Sequence, residues 1–137
     1  IAYNPLAHDM GLELDRLRRK IDAGAHVVYT QPIFEPRTID EALEECSRHG
    51  LPLFVGVLPL RSTRHAEFMH NEVPGIEVPD WLRKRMADAP DDEHALAAGI
   101  EEAQKLSAKV KDQAQGLYLM PPFGNHSIAE RVMEAVR

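Results

Sequence analysis

Hydrophobic positions along the 137-residue chain alternate between short continuous runs and runs with helical spacing. A continuous run of about four to eight apolar residues is typical of a strand buried on both faces of a parallel sheet. Apolar residues three and four apart form one face of a helix. This pattern predicts strands over residues 1–3, 26–30, 51–58 and 116–120, and helices over residues 10–23, 38–50, 62–70, 79–87, 92–113 and 127–137.

Residue types at the ends of the predicted helices agree with the predicted helix boundaries. Gly24 follows the first helix, and glycine adopts the left-handed conformation that commonly closes a helix. Thr38 with Glu41 three residues later has the spacing of a capping box. Ser62 has the side chain to cap the short helix after the third strand. Pro79 suits the first position of the next helix.

The predicted elements follow the order strand, helix, strand, helix, strand, three helices, strand and helix. Strand–helix alternation with short connections predicts an α/β fold with a parallel sheet and right-handed crossovers. Two architectures satisfy it: a small doubly wound sheet, or half of an eight-stranded barrel. The chain opens at Ile1 inside a predicted strand, so we expect a single partial domain, residues 1–137, of a longer protein.

Charge and composition argue against some classes of binding partner. The chain has 16 basic and 22 acidic residues and a net charge of −6, whereas a nucleic-acid or anionic-membrane surface needs a basic face. We therefore expect neither nucleic acid nor a membrane as a partner. No apolar run reaches the roughly 20 residues of a membrane span. Cys46 is the only cysteine, which excludes an intrachain disulfide and makes the cytoplasm the expected compartment.

Other chemistry-bearing residues give weaker signals. The seven histidines lack the spacing of a metal site, so no metal is expected. Cys46 falls on the inner face of a predicted helix, which favours a core residue over a nucleophile. Gly124 before the last helix is a lone glycine and a weak indication of an anion site. The basic cluster within residues 16–20 is typical of a solvated helix face, although Lys20 could also reach a phosphate.

Gln31 stands out among the residues that follow the predicted strands. Ligands bind at the carboxyl ends of parallel strands, in open sheets and in barrels alike. Gln31 follows directly on the run HVVYT, with no turn residue between them. Its amide offers a donor and an acceptor, which suits a heterocycle with amide edges such as a pterin, a flavin or nicotinamide. The residues alone predict a parallel α/β domain with a heterocycle site around Gln31.

Several segments resemble the methylenetetrahydrofolate reductase family. The run LRRKIDAGAHVVYTQPIF is similar to the family's helix-and-strand signature: a lysine, an Asp-Ala-Gly-Ala turn and a strand that ends in Thr-Gln. The runs PLFVGVLPL and EVPDWLRKRM and the acidic start of the long helix resemble later segments of the family. GLYLMPPFG resembles the last strand in the branch fused behind a homocysteine S-methyltransferase domain. The resemblance covers the whole chain.

This resemblance implies a TIM barrel, of which the chain is the C-terminal half, strands five to eight with their helices. It implies FAD as the cofactor and NADH or NADPH as the reductant. The implied activity is reduction of 5,10-methylenetetrahydrofolate to 5-methyltetrahydrofolate, a step of one-carbon metabolism and methionine biosynthesis, so a folate is the expected partner. The resemblance leaves open a fused homocysteine S-methyltransferase domain in the full-length protein.

The resemblance also assigns residues to the site. Gln31 matches a glutamine that contacts the folate and nicotinamide. His65 occupies a substrate-contacting position with a different residue type, and Phe68 lies near a phenylalanine that packs on the substrates. Four residues are implied to bind the cofactor: Asn4, His8, Arg19 and Lys20.

Two departures from the family pattern bear on activity. Asn125 stands where related sequences carry an arginine that grips the folate. The family's general-acid glutamate and the aspartate beside its flavin lie on strands one and four, which this chain lacks. Hydride transfer needs a held flavin and a protonated substrate. We therefore expect the chain alone to contain no catalytic residue and to be inactive.

Two other interpretations stay open. One is a non-catalytic half-barrel with a binding or regulatory role, which the missing half and Asn125 favour. The other is a different TIM-barrel enzyme with an anion site at Gly124. A half-barrel leaves two strand edges unpaired, and exposed edges invite pairing with another chain. We therefore expect the isolated chain to self-associate.

Overall fold

The computed structural model of the protein describes residues 1–137 and has the predicted alternation of strands and helices. The four strands are β1 (Ala2–Tyr3), β2 (Val28–Ile33), β3 (Leu53–Val57) and β4 (Gly116–Leu119). The six α-helices are α1 (Met10–Asp22), α2 (Asp40–His49), α3 (Thr63–Glu72), α4 (Asp80–Ala87), α5 (Asp92–Val110) and α6 (His126–Met133). Short 3₁₀ turns at Pro36–Ile39 and Pro122–Gly124 follow β2 and β4. None of the helices is both long and apolar enough to cross a membrane.

The four strands form one parallel sheet in the order β1-β2-β3-β4. Each strand lies beside its predecessor along the chain, and right-handed crossovers then place all the connecting helices on the same face. A doubly wound sheet instead reverses its strand order and carries helices on both faces. The observed order is that of consecutive βα units in a barrel, so the fold is α/β with the form of a half-barrel.

The main core lies between the sheet and the helices. The strands contribute Val28, Leu53, Val55 and Val57, none of which is exposed to solvent. The helices contribute Leu17, Ala42, Cys46, Ile100, Ala103, Val110, Ile128 and Val132. Burial raises the pKa of the Cys46 thiol to about 11, so the thiolate is disfavoured and the predicted core position of this cysteine is confirmed.

A second buried cluster holds the loop after β3 against α3, α4 and α5. Leu58 and Leu60 of the loop pack in this cluster with Leu82 and Met86 of α4. Helix α5 approaches the loop at Gly99, where an added Cβ would lie 1.9 Å from the Leu60 carbonyl oxygen. Only glycine allows this contact between helix and loop backbone. The contact fixes the start of the segment that leads into α3.

The basic cluster on α1 has structural partners. Arg18 donates from Nε and Nη2 to the two carboxylate oxygens of Glu45 on α2, at 2.9 Å and 3.1 Å. The Glu45 side chain is almost fully buried, and these hydrogen bonds hold the pKa of its carboxyl below the usual range. Arg18 therefore joins α1 to α2, which corrects the prediction of a purely solvated face.

Several predicted boundaries differ from the structure, three of them at residues that the sequence singled out. Strand β2 continues through Gln31 to Ile33 instead of ending before Gln31. The Thr38 hydroxyl donates to the Glu35 carbonyl oxygen at 2.7 Å, so Thr38 forms no capping box and α2 begins after a 3₁₀ turn. Pro79 precedes α4 rather than opening it. In contrast, the Ser62 cap is confirmed, because its hydroxyl accepts a hydrogen bond from the His65 N–H.

The face of the sheet opposite the helices is open. Tyr29 of β2 stacks on Phe54 of β3 with 5.2 Å between ring centroids, and Tyr118 of β4 meets Tyr29 edge-on at 5.6 Å. Tyr29 stays 41% exposed. Strands β1 and β4 each pair on one side only. The aromatic face and the two open edges are the surfaces that further strands of a barrel would cover.

We expect Gly99→Ala to lower the free energy of unfolding by about 1–3 kcal/mol, because α5 must move away from the loop carbonyl. Gly11→Ala in the first turn of α1 is the matched control. Its added Cβ comes no closer than 3.4 Å to the Asp9 carboxylate, and alanine favours the helix by up to about 1 kcal/mol. Urea denaturation measures both variants. A midpoint for Gly99→Ala at or above that of the parent would contradict the close packing.

Candidate functional site

The carboxyl edge of the sheet gathers the loops that follow the strands. Asn4 and His8 lie after β1, and Gln31 lies near the end of β2. His65 and Phe68 lie in α3, which begins shortly after β3. The structure therefore brings five of the seven predicted site residues to this edge.

A bulge in β2 shapes the middle of the edge. The pairing of β2 with β3 shifts register between Tyr29 and Pro32, so that two residues of β2 face one residue of β3. The Thr30 hydroxyl accepts a hydrogen bond from the Gly56 N–H at 3.0 Å. The Tyr118 hydroxyl of β4 donates to the Thr30 carbonyl oxygen. Side chains thus replace part of the backbone ladder and hold the bulge in place.

Gly56 makes the contact between Tyr118 and Thr30 possible. An added Cβ at Gly56 would lie 2.7 Å from the Tyr118 hydroxyl oxygen and 3.2 Å from the Pro32 nitrogen. The tyrosine side chain reaches over this glycine from β4 to β2. Thr30, Gly56 and Tyr118 were not predicted as site residues. The available signal was a glycine inside an apolar strand, which often marks a close approach of another group.

Gln31 occupies the bulge itself. Its side chain is half-buried and makes no hydrogen bond to another residue of the chain. The side-chain amide of Gln31 therefore keeps a free donor and a free acceptor. The backbone beside it is held in place by the hydrogen bonds of Thr30 and Tyr118. This arrangement suits the binding of a planar heterocycle through paired hydrogen bonds.

The loop after β1 is fixed by a buried carboxylate. Glu13 of α1 is 8% exposed, and its Oε1 accepts a hydrogen bond from the Asn4 backbone N–H at 2.8 Å. The Asn4 Oδ1 accepts from the Leu6 N–H at 3.0 Å, which leaves the side-chain NH₂ group to donate elsewhere. His8 is exposed, and its Nε2 lies 3.9 Å from a carboxylate oxygen of Glu77. Asn4 is thus the better ordered of the two predicted cofactor contacts.

Arg19 and Lys20 lie in the last turn of α1, outside the loop that carries Asn4 and His8. Helix α1 runs back from the carboxyl edge, and the ten residues from Met10 to Lys20 correspond to about 15 Å of helix. The Lys20 ammonium donates to the Ala2 carbonyl oxygen at 2.9 Å, on the unpaired side of β1. The Arg19 guanidinium donates to the Asp15 carbonyl oxygen of its own helix. The Lys20 ammonium thus reaches back to β1, two residues before Asn4, whereas the Arg19 guanidinium stays on its own helix.

A cavity of about 480 Å³ opens between the loops after β3 and β4. We call it the phenylalanine pocket. Its lining residues are Arg61, Ser62, Arg64, His65, Phe68, Asp92 and Phe123. Phe68 is 55% exposed and Phe123 is 85% exposed. The pocket therefore presents two aromatic rings to solvent beside two guanidinium groups.

Phe123 is held in a strained conformation at this pocket. Its φ of 55° lies in the left-handed region that non-glycine residues rarely adopt. The Arg61 guanidinium lies 5.2 Å from the centre of the Phe123 ring, within range of a cation–π interaction. Neither residue was predicted for the site, because neither the pairing nor the backbone conformation is visible in the sequence.

His65 is neutral in the pocket. Its Nδ1 accepts a hydrogen bond from the Arg61 backbone N–H at 3.1 Å, which places the proton of the neutral ring on Nε2. Burial lowers the pKa of His65, and the Arg61 guanidinium lowers it further. His65 can thus donate one hydrogen bond through Nε2. The protein contains no cluster of metal-ligating side chains.

The chain matches the family model described as methylenetetrahydrofolate reductase over residues 2–133. It is 27% identical over 118 residues to methylenetetrahydrofolate reductase 2 of Schizosaccharomyces pombe, covering 81% of this chain and 18% of that protein. It is 28% identical over 94 residues to methylenetetrahydrofolate reductase 2 of Saccharomyces cerevisiae, covering 64% of this chain and 15% of that protein. The chain thus spans less than a fifth of these two relatives.

A solved structure shares the fold. It belongs to an uncharacterized protein from Clostridium thermocellum described as binding two copies of 5-methyl-5,6,7,8-tetrahydrofolic acid. The TM-score is 0.63 at 18% sequence identity, and the match covers 98% of this chain and 50% of that one. Half of the Clostridium chain therefore has no counterpart here, which agrees with the half-barrel form of the sheet.

We expect the NMR titration midpoint of His65 to lie below the ordinary value of 6.5 and that of His94 above it. His94 has its pKa raised by the Asp91 carboxylate and serves as the internal control. Because the pKa of His65 is lowered by folding, its neutral form stabilises the fold above about pH 6.5, and this stabilisation is lost as the pH falls through the lowered value. The opposite order of the two midpoints would contradict the burial of His65.

Proposed function

The chain belongs to the methylenetetrahydrofolate reductase family, and from this premise we propose that it forms the C-terminal half, strands five to eight, of a flavin-dependent reductase barrel. The proposed reaction of the full-length protein is reduction of 5,10-methylenetetrahydrofolate to 5-methyltetrahydrofolate with NADH or NADPH as the reductant. The family match over residues 2–133 is the observation that carries this proposal.

The carboxyl-edge residues fit an FAD cofactor. The Asn4 side-chain NH₂ group is free to donate, and the exposed His8 lies beside it on the same loop. Arg19 and Lys20, further along the β1 side, would meet the negative charge of the phosphates, and Lys20 would exchange its hydrogen bond to Ala2 for one to a phosphate oxygen. Bound FAD supplies the hydride carrier between the nicotinamide and the folate.

Gln31 is the proposed anchor for the reacting heterocycles. Both a reduced pterin and a nicotinamide present an amide-like edge, and the free donor and acceptor of Gln31 can pair with either. The bulge held by Thr30 and Tyr118 fixes the position of the Gln31 backbone. Orientation of the ligand is thus the main contribution of this chain to hydride transfer.

The proton donor for the reaction is proposed to come from outside this chain. Four carboxyl groups have a pKa that departs from the usual range, and all four are lowered by hydrogen-bonded partners: Glu45, Glu67, Asp91 and Glu101. A general acid needs the opposite shift, because it must hold its proton near neutral pH. The isolated chain is therefore proposed to be inactive.

A second candidate function is folate binding without reduction. The description of the Clostridium protein, which names a bound methyl-tetrahydrofolate and no reaction, favours it. The two candidates differ in the residues upstream of this chain. A reductase has a proton-donating carboxylate on its first strand, and a binding protein does not need one.

We expect Gln31→Ala in the longest natural polypeptide that contains this chain to lower folate turnover at least about fivefold. Loss of hydrogen bonds to a neutral heterocycle costs about 1–3 kcal/mol when the ligand group is left unpaired. Quenching of FAD fluorescence should be the same in the variant and the parent, because Gln31 is not a proposed flavin contact. Gln113→Ala, whose amide donates only to the Lys109 carbonyl oxygen at the end of α5, is the control.

The outcomes separate the candidates. The reductase is supported if the parent quenches FAD fluorescence and turns over folate, and if Gln31→Ala loses the turnover. Folate binding without flavin quenching moves the assignment to the binding protein. Normal turnover in Gln31→Ala rules out the anchoring role of Gln31.

We also expect the isolated 137-residue chain to self-associate, because the aromatic face of Tyr29 and Phe54 and two strand edges are uncovered. Light scattering should give at least twice the mass of one chain. The longer polypeptide, in which further strands cover these surfaces, should not form the same contacts. A monomer of the isolated chain at micromolar concentration would contradict the expectation.

A further inference from the structure

The phenylalanine pocket contains two arginines that lack a carboxylate partner. Neither Arg61 nor Arg64 has a carboxylate oxygen within 4.0 Å, whereas Arg18, Arg83 and Arg85 all form such ion pairs. Both unpaired side chains are exposed. Two free guanidinium groups that line one cavity give it a positive potential.

The rest of the pocket adds little opposing charge. Asp92 is its one acidic residue, and His65 is neutral and offers a donor through Nε2. Arg64 lies in the first turn of α3, where the helix dipole adds further positive potential instead of offsetting the cation. The pocket is thus arranged to receive an anion.

The position of Arg61 depends on Phe123. The guanidinium lies over the ring of Phe123, and the Arg61 backbone N–H is tied to the His65 ring. Phe123 keeps its left-handed backbone although its ring is 85% exposed, so burial of the ring does not compensate for the strain. An exposed ring that is held in strain and carries a cation is typical of a ligand contact.

Asn125 brings no positive charge to this end of the sheet. Its Oδ1 accepts hydrogen bonds from the Ser127 N–H at 3.2 Å and the Ser127 hydroxyl at 2.7 Å. These contacts cap α6 and occupy the side-chain oxygen. The residue that stands where the family pattern has an arginine thus caps a helix and carries no charge.

We propose that Arg61, positioned by Phe123, binds a carboxylate of the glutamate tail of the folate. This inference rests on the proposed function. The loop after β3 thereby supplies the cation that the loop after β4 lacks. The Phe123 ring contacts the aminobenzoyl group that joins the pterin to the tail, and Arg64 adds long-range attraction. Arg61 is thus a specificity residue for the charged tail rather than for the pterin.

Isothermal titration of the longest natural polypeptide that contains this chain tests the proposal. The two probes are 5-methyltetrahydrofolate and its glutamate dimethyl ester, which keeps the pterin and the aromatic ring but has no tail charge. The parent should bind the acid at least tenfold more tightly than the ester, as expected for one charge-assisted hydrogen bond. Arg61→Met should bind both probes with the affinity that the parent shows for the ester.

Two further variants sharpen the test. Arg131→Met removes another arginine without a carboxylate partner, on α6, and should keep the preference of the parent for the acid. Arg61→Lys keeps the charge but not the forked donors, and should retain part of that preference.

Each outcome is decisive. An unchanged preference in Arg61→Met overturns the inference and leaves the proposed function standing. Failure of the parent to bind either probe overturns the proposed function and the inference with it. Equal affinity of the parent for the acid and the ester, with tight binding of both, overturns the inference alone.

Discussion

The absence of a side chain at Gly56 is the constraint on which the candidate site depends. The space above this residue lets the Tyr118 hydroxyl reach from β4 to the Thr30 carbonyl on β2. The Thr30 hydroxyl in turn accepts the Gly56 N–H. These hydrogen bonds join three neighbouring strands at one level, where Thr30 and Gln31 of the bulge face one residue of β3. The free amide of Gln31 therefore lies on a part of the sheet that side-chain hydrogen bonds hold in place.

The fold follows from the sequence more readily than the site does. Parallel strands buried on one face by helices and on the other by a barrel interior are apolar throughout, so VVYT, LFVGV and GLYL could be recognised without contacts. The bulge joins residues 26 and 88 positions apart in the chain. No local pattern encodes such a contact, and the glycine in β3 was the only trace of it. The strain at Phe123 and its pairing with Arg61 are likewise tertiary features.

One local prediction, the capping box at Thr38, failed for a physical reason. Thr38 has the capping-box spacing, but its hydroxyl is used as a donor within the 3₁₀ turn, so the tertiary path of the chain overrode a local motif. Lys20 was grouped with Asn4 because both belong to the cofactor residues of the family pattern. That grouping stays a prediction, and the Lys20 ammonium reaches back from the last turn of α1 to the Ala2 carbonyl oxygen, two residues before Asn4.

The arrangement of charge divides the carboxyl edge into two ends with Gln31 between them. The β1 end holds Asn4 and a carboxylate-fixed loop, and the β3–β4 end holds unpaired guanidinium groups and exposed rings in a protein whose net charge is −6. A negative total charge with a local positive pocket favours small anions at that pocket over large polyanions, which the rest of the surface repels. Strand β2, which carries Gln31, lies between these two ends of the sheet. Under the proposed function, the β1 end holds the flavin, which leaves the β3–β4 end for the charged tail of the folate and Gln31 for its pterin.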